Sequence, residues 1–309
     1  MDDERAPGKR PRRLSGALKR CLTFASAALI WGHTVAPAAA QLPGPREDER
    51  AVPPWVGQFT VLGANALLGG LTAGIAQELR GGSFSDGFTR GFLGGSIVYV
   101  GKRVAVEHFA GAGLLGRTVA SAGASVVRNA SEARPALARL ILPFGPLRLY
   151  VNREADPGLR LKVDLNTVIM TGVALGHSGL DLDAGSSLSA GAPVFVTREH
   201  LFGSASDTTR ASGEMLGNVI FLSELPWRSD EVERELFAHE RVHLLQRDQF
   251  FTTITEPLGA ELIERTPLSP LYRYVDVHFT DLLFSLMSLA FRDYYDRPWE
   301  MEAYHLMKR

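Results

Sequence analysis

The chain has 309 residues, 45% hydrophobic and 22% charged, with a formal net charge of −1. That length holds one large domain or two modest ones, and the composition is that of a globular protein, neither disordered nor fibrous. A near-neutral charge provides no electrostatic footprint for nucleic acid, so no nucleic-acid partner is expected.

The chain opens with a basic stretch, "KRPRRLSGALKR", then a mostly apolar one, "CLTFASAALIWGHTVA", then "APAAAQ". Small residues at Ala38 and Ala40 suit a cut after Ala40. This pattern predicts a secretory signal peptide over residues 1–40 and an exported protein, periplasmic or extracellular. The competing reading is an uncleaved anchor, but the apolar core is short for a span of ~20 residues. Removal of these residues takes away seven Lys/Arg and three Asp/Glu, leaving a net charge of about −5, and takes the only cysteine, Cys21. The mature chain then has no disulfide and no thiolate, so a metal would have to be held by histidines and carboxylates.

Residues 41–56, polar and proline-rich, read as a linker. Residues 57–144 read as a Gly/Ala-rich helical segment. From Phe59 to Gln77 there is no charge, and small residues recur at Gly70 and Gly74 and at Gly87, Gly91 and Gly95. Two readings compete: a glycine zipper making a membrane contact through residues 59–125, or a helical hairpin packed in water through its small residues. Asn65 and Gln77 inside the run, and Asp86, Arg90, Lys102 and Arg103 after it, weigh against the membrane.

Residues 145–309 read as an α+β domain. Strict alternation from Leu159 to Asn166 predicts a strand, and 150–151, 167–170, 180–183, 193–196 and 218–223 read as further strands of a small antiparallel sheet with one wet face. Residues 203–214 form a polar loop. From Ser229 the period turns helical, with Asp230 as the expected cap and Glu233 three residues on. Residues 256–265 predict a short helix, 271–293 a long apolar core helix, and a last helix starts near Pro298.

The chemistry lies in "FAHERVHLLQ", residues 237–246. His239 and His243 are four apart, so on a helix they share a face and reach one ion. Glu240 is rotated by about 100°. It lies beside the ion without binding it, where it can take a proton from a water held there. The alternative is a solvated helix face that spells the pattern by chance. A third ligand is needed, leaving one position open. The downstream candidates are Glu256, Glu261, Glu264, Asp276, His278, Asp281, Asp293, Asp296, Glu300, Glu302 and His305.

"ERVHLLQRDQF" followed by "RPWEMEAYH" resembles the gluzincin zinc metallopeptidases, in which H-E-x-x-H precedes a helix bearing E-x-x-A. The likeness covers residues 218–309 at most. It implies a zincin-like fold there, His239, His243 and Glu300 as ligands of one Zn²⁺ per chain, and Glu240 as general base, with Ala303 completing the second motif. Glu302 competes with Glu300, but the two point about 200° apart on a helix, so one of them binds. Tyr304 departs from the family by standing where an aspartate often supports the metal. Tyr304, His305, Tyr294, Tyr295 and Arg297 are the candidates for oxyanion stabilisation. Gln246, one turn beyond His243, is placed to orient a ligand or substrate. His108, His177, His200 and His278 are isolated. The strand at 218–223, shortly before the motif, is expected to be a sheet edge able to take extended substrate.

The expectation is an exported zinc metalloendopeptidase acting on peptide or protein. The alternatives are a membrane-associated glycine-zipper structural protein and a zincin-like binding domain without turnover.

Overall fold

The computed structural model describes residues 54–197, 213–223, 229–263, 266–291 and 297–307. The expected leader and nearly all of the expected linker lie outside this set, as do Glu264, Asp293, Tyr294, Tyr295, Asp296 and His200. The architecture is mixed helix and sheet.

The glycine-rich segment forms three helices: α1 (Pro54–Leu79), α2 (Phe84–Ala105) and α3 (Ala112–Ser131). Ser83 caps α2, its hydroxyl accepting from Asp86 N. The small residues bring backbones into contact. A Cβ at Gly95 would fall on the carbonyl oxygen of Asn65, and one at Gly101 would fall on the backbone of Ala120 and Gly116. Glycine costs about 1 kcal/mol relative to alanine inside a helix; here close helix contact offsets it. Of the described helices, Trp55–Leu79 alone is long and apolar enough to cross a membrane, and 44% of its apolar window is buried inside the protein.

Two four-stranded sheets follow. The first contains β1 (Arg139–Phe144), β2 (Leu147–Asn152), β3 (Leu159–Asp164) and β8 (Val275–Asp276), in that spatial order. The second contains β4 (Asp181–Leu182), β5 (Val194–Thr197), β6 (Gly213–Leu216) and β7 (Val219–Ser223), in the order β4-β5-β7-β6. Each sheet has one parallel pair, β3 with β8 and β5 with β7, so the single antiparallel sheet expected from the alternation is corrected to two mixed ones. Strand β7 lies between β5 and β6 and is not an edge; the edges among the described residues are β4 and β6.

Local chemistry explains several further differences. Residues 167–170, expected as a strand, belong to helix α4 (Leu165–Leu175), because Asp164 accepts from Thr167 N and caps it. Asp183 caps α5 (Ala184–Ala190) in the same way. Strand β1 falls inside the stretch expected to be helical. The long helix expected over 271–293 is broken into α8 (Ser269–Tyr272), strand β8 and α9 (Thr280–Ser288). Asp276 is drawn into the first sheet by two buried partners: the Tyr150 hydroxyl donates to Oδ2 at 2.7 Å and Lys162 Nζ to Oδ1 at 3.0 Å. Beside them Arg148 pairs with Asp164 at 2.5 Å, and His278 joins the same carboxylate.

The motif lies on α6 (Asp230–Phe250), which runs through a π-helical turn (Phe251–Thr255) into α7 (Glu256–Ile263). Its cap is Ser229 rather than Asp230, with Ser229 Oγ accepting from Val232 N. Asp230 instead joins Glu231 and Glu233 in an acidic first turn that suits the helix dipole. The chain's last described helix, α10 (Pro298–Met307), crosses α6. One apolar core joins α2, α3, α6 and the second sheet through Val98, Ala124, Val194, Ile220 and Leu244. A second joins α1, α6 and α10 through Val61, Val242, Ala303 and Leu306, and it holds the two site helices together.

Candidate metal centre

Helix α6 is charged in sequence, yet from Ala238 to Gln249 nearly every residue is buried. His239 is 5% and Glu240 3% exposed, so the motif is not a solvated helix face. Buried polar groups must find partners, and most of these do. Asp248 accepts from Arg117 Nε at 2.6 Å and Nη2 at 3.3 Å, both residues being buried. Arg117 also donates to the Gly191 carbonyl. This pair joins α3, α6 and the turn before β5; removing one member would cost about 3–5 kcal/mol.

Three side-chain atoms converge where α10 meets α6. His239 Nε2 and His243 Nε2 are 3.0 Å apart, and Glu300 Oε2 lies 3.1 Å from the first and 3.2 Å from the second. Donors at about 2.0–2.1 Å from one four-coordinate ion stand slightly above 3 Å apart, so this triangle is of ion-binding size. His239, His243 and Glu300 form the one group of three or more metal-competent side chains found among the described residues.

The protons agree with a cation at this point. Gln246 Nε2 donates to the Trp299 carbonyl at 2.9 Å and to Glu302 Oε2 at 2.7 Å. Its Oε1 must therefore accept from His243 Nδ1, 2.8 Å away. That puts the neutral ring's hydrogen on Nδ1 and leaves the Nε2 lone pair facing a carboxylate oxygen and a second imidazole nitrogen. A shared hydrogen or a metal ion must lie among them. In the metal-free protein burial disfavours the charged form of His243, but the Glu300 and Glu240 carboxylates outweigh it and push this histidine up to about 9. Burial would raise Glu300, but the two histidines hold it well below the usual carboxylate range. Burial holds His239 down.

Glu300, not Glu302, completes the triangle. Glu302 points away to Lys102 of α2, whose Nζ donates to its two oxygens at 2.8 and 3.0 Å. Asn65 Nδ2 of α1 donates to Oε1 at 2.6 Å. Of the other candidates, Glu256 pairs with Arg128, Asp281 with Arg247, and Asp276 and His278 belong to the first sheet's network. Tyr304 lays its ring against His239, centroids 4.8 Å apart, and His305 packs against Gly57 of α1. The Tyr304 ring thus fills the side of His239 with carbon rather than a carboxylate.

No family model matches this chain, and no curated protein and no solved structure does either.

Glu240 stands next to the triangle, with Gly213 of edge strand β6 against it; a Cβ there would come within 2.7 Å of Glu240 Oε1. Its neighbourhood includes Glu214 and Arg247. Burial is the chief cause that pushes the Glu240 carboxyl up to about 7. The sequence alone does not point to Gly213, Asn65 or Lys102; the one hint is the isolated polar residues in a glycine-rich run.

A pH effect follows. Below about 4.5 Glu240 is protonated whether the chain is folded or unfolded, and it costs nothing. Between about 4.5 and 7 the unfolded chain ionises first, so stability falls as pH rises and stays lowered above 7. Glu240→Gln should therefore stabilise the metal-free protein at pH 7.5 by on the order of 3 kcal/mol relative to pH 4.5. Urea unfolding in the presence of a chelator at the two pH values measures this. An equal effect of the substitution at both would show that Glu240 is not held neutral by burial.

Proposed function

We propose that this chain is an exported zinc metallopeptidase whose C-terminal part has a zincin-like arrangement and hydrolyses peptide bonds in peptide or protein substrates. The observation that supports it most is the buried triangle of His239, His243 and Glu300, its three ligand atoms within 4.8 Å of one another and Glu240 beside it. The spacing resembles the gluzincin pattern, and the leader-like residues 1–40 support export.

A bound zinc ion supplies a Lewis acid that lowers the pKa of water to near 7 and polarises a carbonyl. His239 and His243 present Nε2 to it and Glu300 presents Oε2. Glu240 takes the proton of the attacking water and delivers it to the departing amine. A buried carboxyl beside the site can take a proton and return it; in the metal-free chain burial pushes this one up to about 7. Gly213 leaves room for the Glu240 carboxylate, because a Cβ there would come within 2.7 Å of Oε1.

Elemental analysis of the purified chain, beside an assay on a peptide library, tests the reading. About one zinc per chain and cleavage that a chelator abolishes and zinc restores are expected. No metal after zinc loading and removal of excess would overturn the reading. Metal without cleavage would leave a binding domain.

A further inference from the structure

The glycine-rich helices reach the metal centre. Lys102 Nζ, 1% exposed as a residue, donates to Glu302, to Asn65 Oδ1 at 2.9 Å and to Gln249 Oε1 at 2.9 Å. Asn65 anchors its own amide on the Val61 carbonyl at 3.0 Å while donating to Glu302. Three donors thus fill the Glu302 carboxylate: Asn65, Lys102 and Gln246. With its oxygens so occupied, Glu302 accepts from the Gln246 NH₂ group, and the Gln246 carbonyl is turned toward His243 Nδ1. The donations converge on Glu302 and are mutually consistent only if Gln246 is oriented this way: Lys102 and Gln246 both donate to Glu302, and His243 Nδ1 donates to Gln246 Oε1.

We propose that Lys102, Asn65, Glu302 and Gln246 are positioning residues of the metal site, fixing His243 as the Nδ1–H tautomer with Nε2 toward the ion. This rests on the reading of His239, His243 and Glu300 as metal ligands. The glycine-rich helices are then a working part of the site and not a detachable pro-segment. Their close contact is what the arrangement needs: Gly95 lets α2 lie on the backbone of α1 at Asn65, seven residues before Lys102 in α2. A metal-bound histidine held at its far nitrogen by such partners typically loses 10–100-fold in metal affinity when they are removed.

The test measures zinc affinity of the full chain by chelator competition, with urea unfolding as a folding control. Lys102→Met leaves Glu302 buried without its cation and should weaken zinc binding about 10–100-fold. Gln246→Leu, which spares the Lys102–Glu302 pair, should do the same. The double variant Lys102→Met/Glu302→Gln removes both charges and keeps an amide oxygen for Gln246; it should recover most of the loss. Lys162→Met, which breaks a buried ion pair in the first sheet, should leave zinc affinity unchanged although it destabilises the fold. Wild-type affinity in both Lys102→Met and Gln246→Leu, or an equal loss in Lys162→Met, overturns the relay alone. A wild-type chain that takes up no zinc overturns the metal site and the relay with it.

Discussion

Glu240→Gln should lower peptide hydrolysis by about 10²–10⁴-fold, the usual contribution of a positioned general base, while the chain keeps its zinc. The substitution preserves shape and one acceptor oxygen but removes the capacity to hold a proton. Because Glu240 lies outside the ligand triangle, the metal should stay. Its place suits it to proton transfer, since it is 3% exposed and next to His239 in the motif, beside the ligand triangle. Steady-state kinetics on a cleaved peptide, with metal content measured on the same sample, decides the matter. Unchanged kcat would remove Glu240 from the chemistry. Loss of zinc in parallel with activity would instead make it a ligand.

Glu300→Gln should weaken zinc binding by roughly a thousandfold, and Glu302→Gln far less. Zinc sites bind with about 10–16 kcal/mol shared among their ligands, so one direct ligand accounts for about 3–4 kcal/mol, whereas outer partners that orient a ligand are worth about 10–100-fold. The two glutamates are two residues apart on one helix and face opposite ways. Oε2 of Glu300 is 3.1 Å from His239, and Glu302 lies against Lys102 and Gln246. Chelator competition on the pair of variants measures the difference. The reverse order would transfer the third ligand to Glu302.

How much of this was legible in the sequence depended on range. The H-E-x-x-H helix and the helix from Pro298 were readable because their signals are local: spacing, an acidic first turn and a proline at the start. The preference for Glu300 came from spacing to Ala303, and Ala303 indeed lies in the core between α1, α6 and α10. The strand at 167–170 misled because its β-branched residues favour extension, while a single cap at Asp164 decides for helix. The long apolar helix misled because Asp276 is held by Tyr150 and Lys162, partners more than a hundred positions away. Lys102 and Asn65 were visible only as polar interruptions in a glycine-rich run. Read alone they argued against a membrane; their bonds to Glu302 lie 200 and 237 positions along the chain.

That last separation bears on when the three side chains can come together. Closing a loop of this length is entropically costly and slow, and contacts of such range form late. A nascent chain whose synthesis has passed α6 carries both histidines and Gln246 but lacks Glu300, and it lacks Trp299 and Glu302, which hold the Gln246 amide in place. Only when α10 docks between α1 and α6 do the three donors converge. The three side chains that could hold a metal ion thus come together only once α10 has docked, so metal binding at this point would report completed folding.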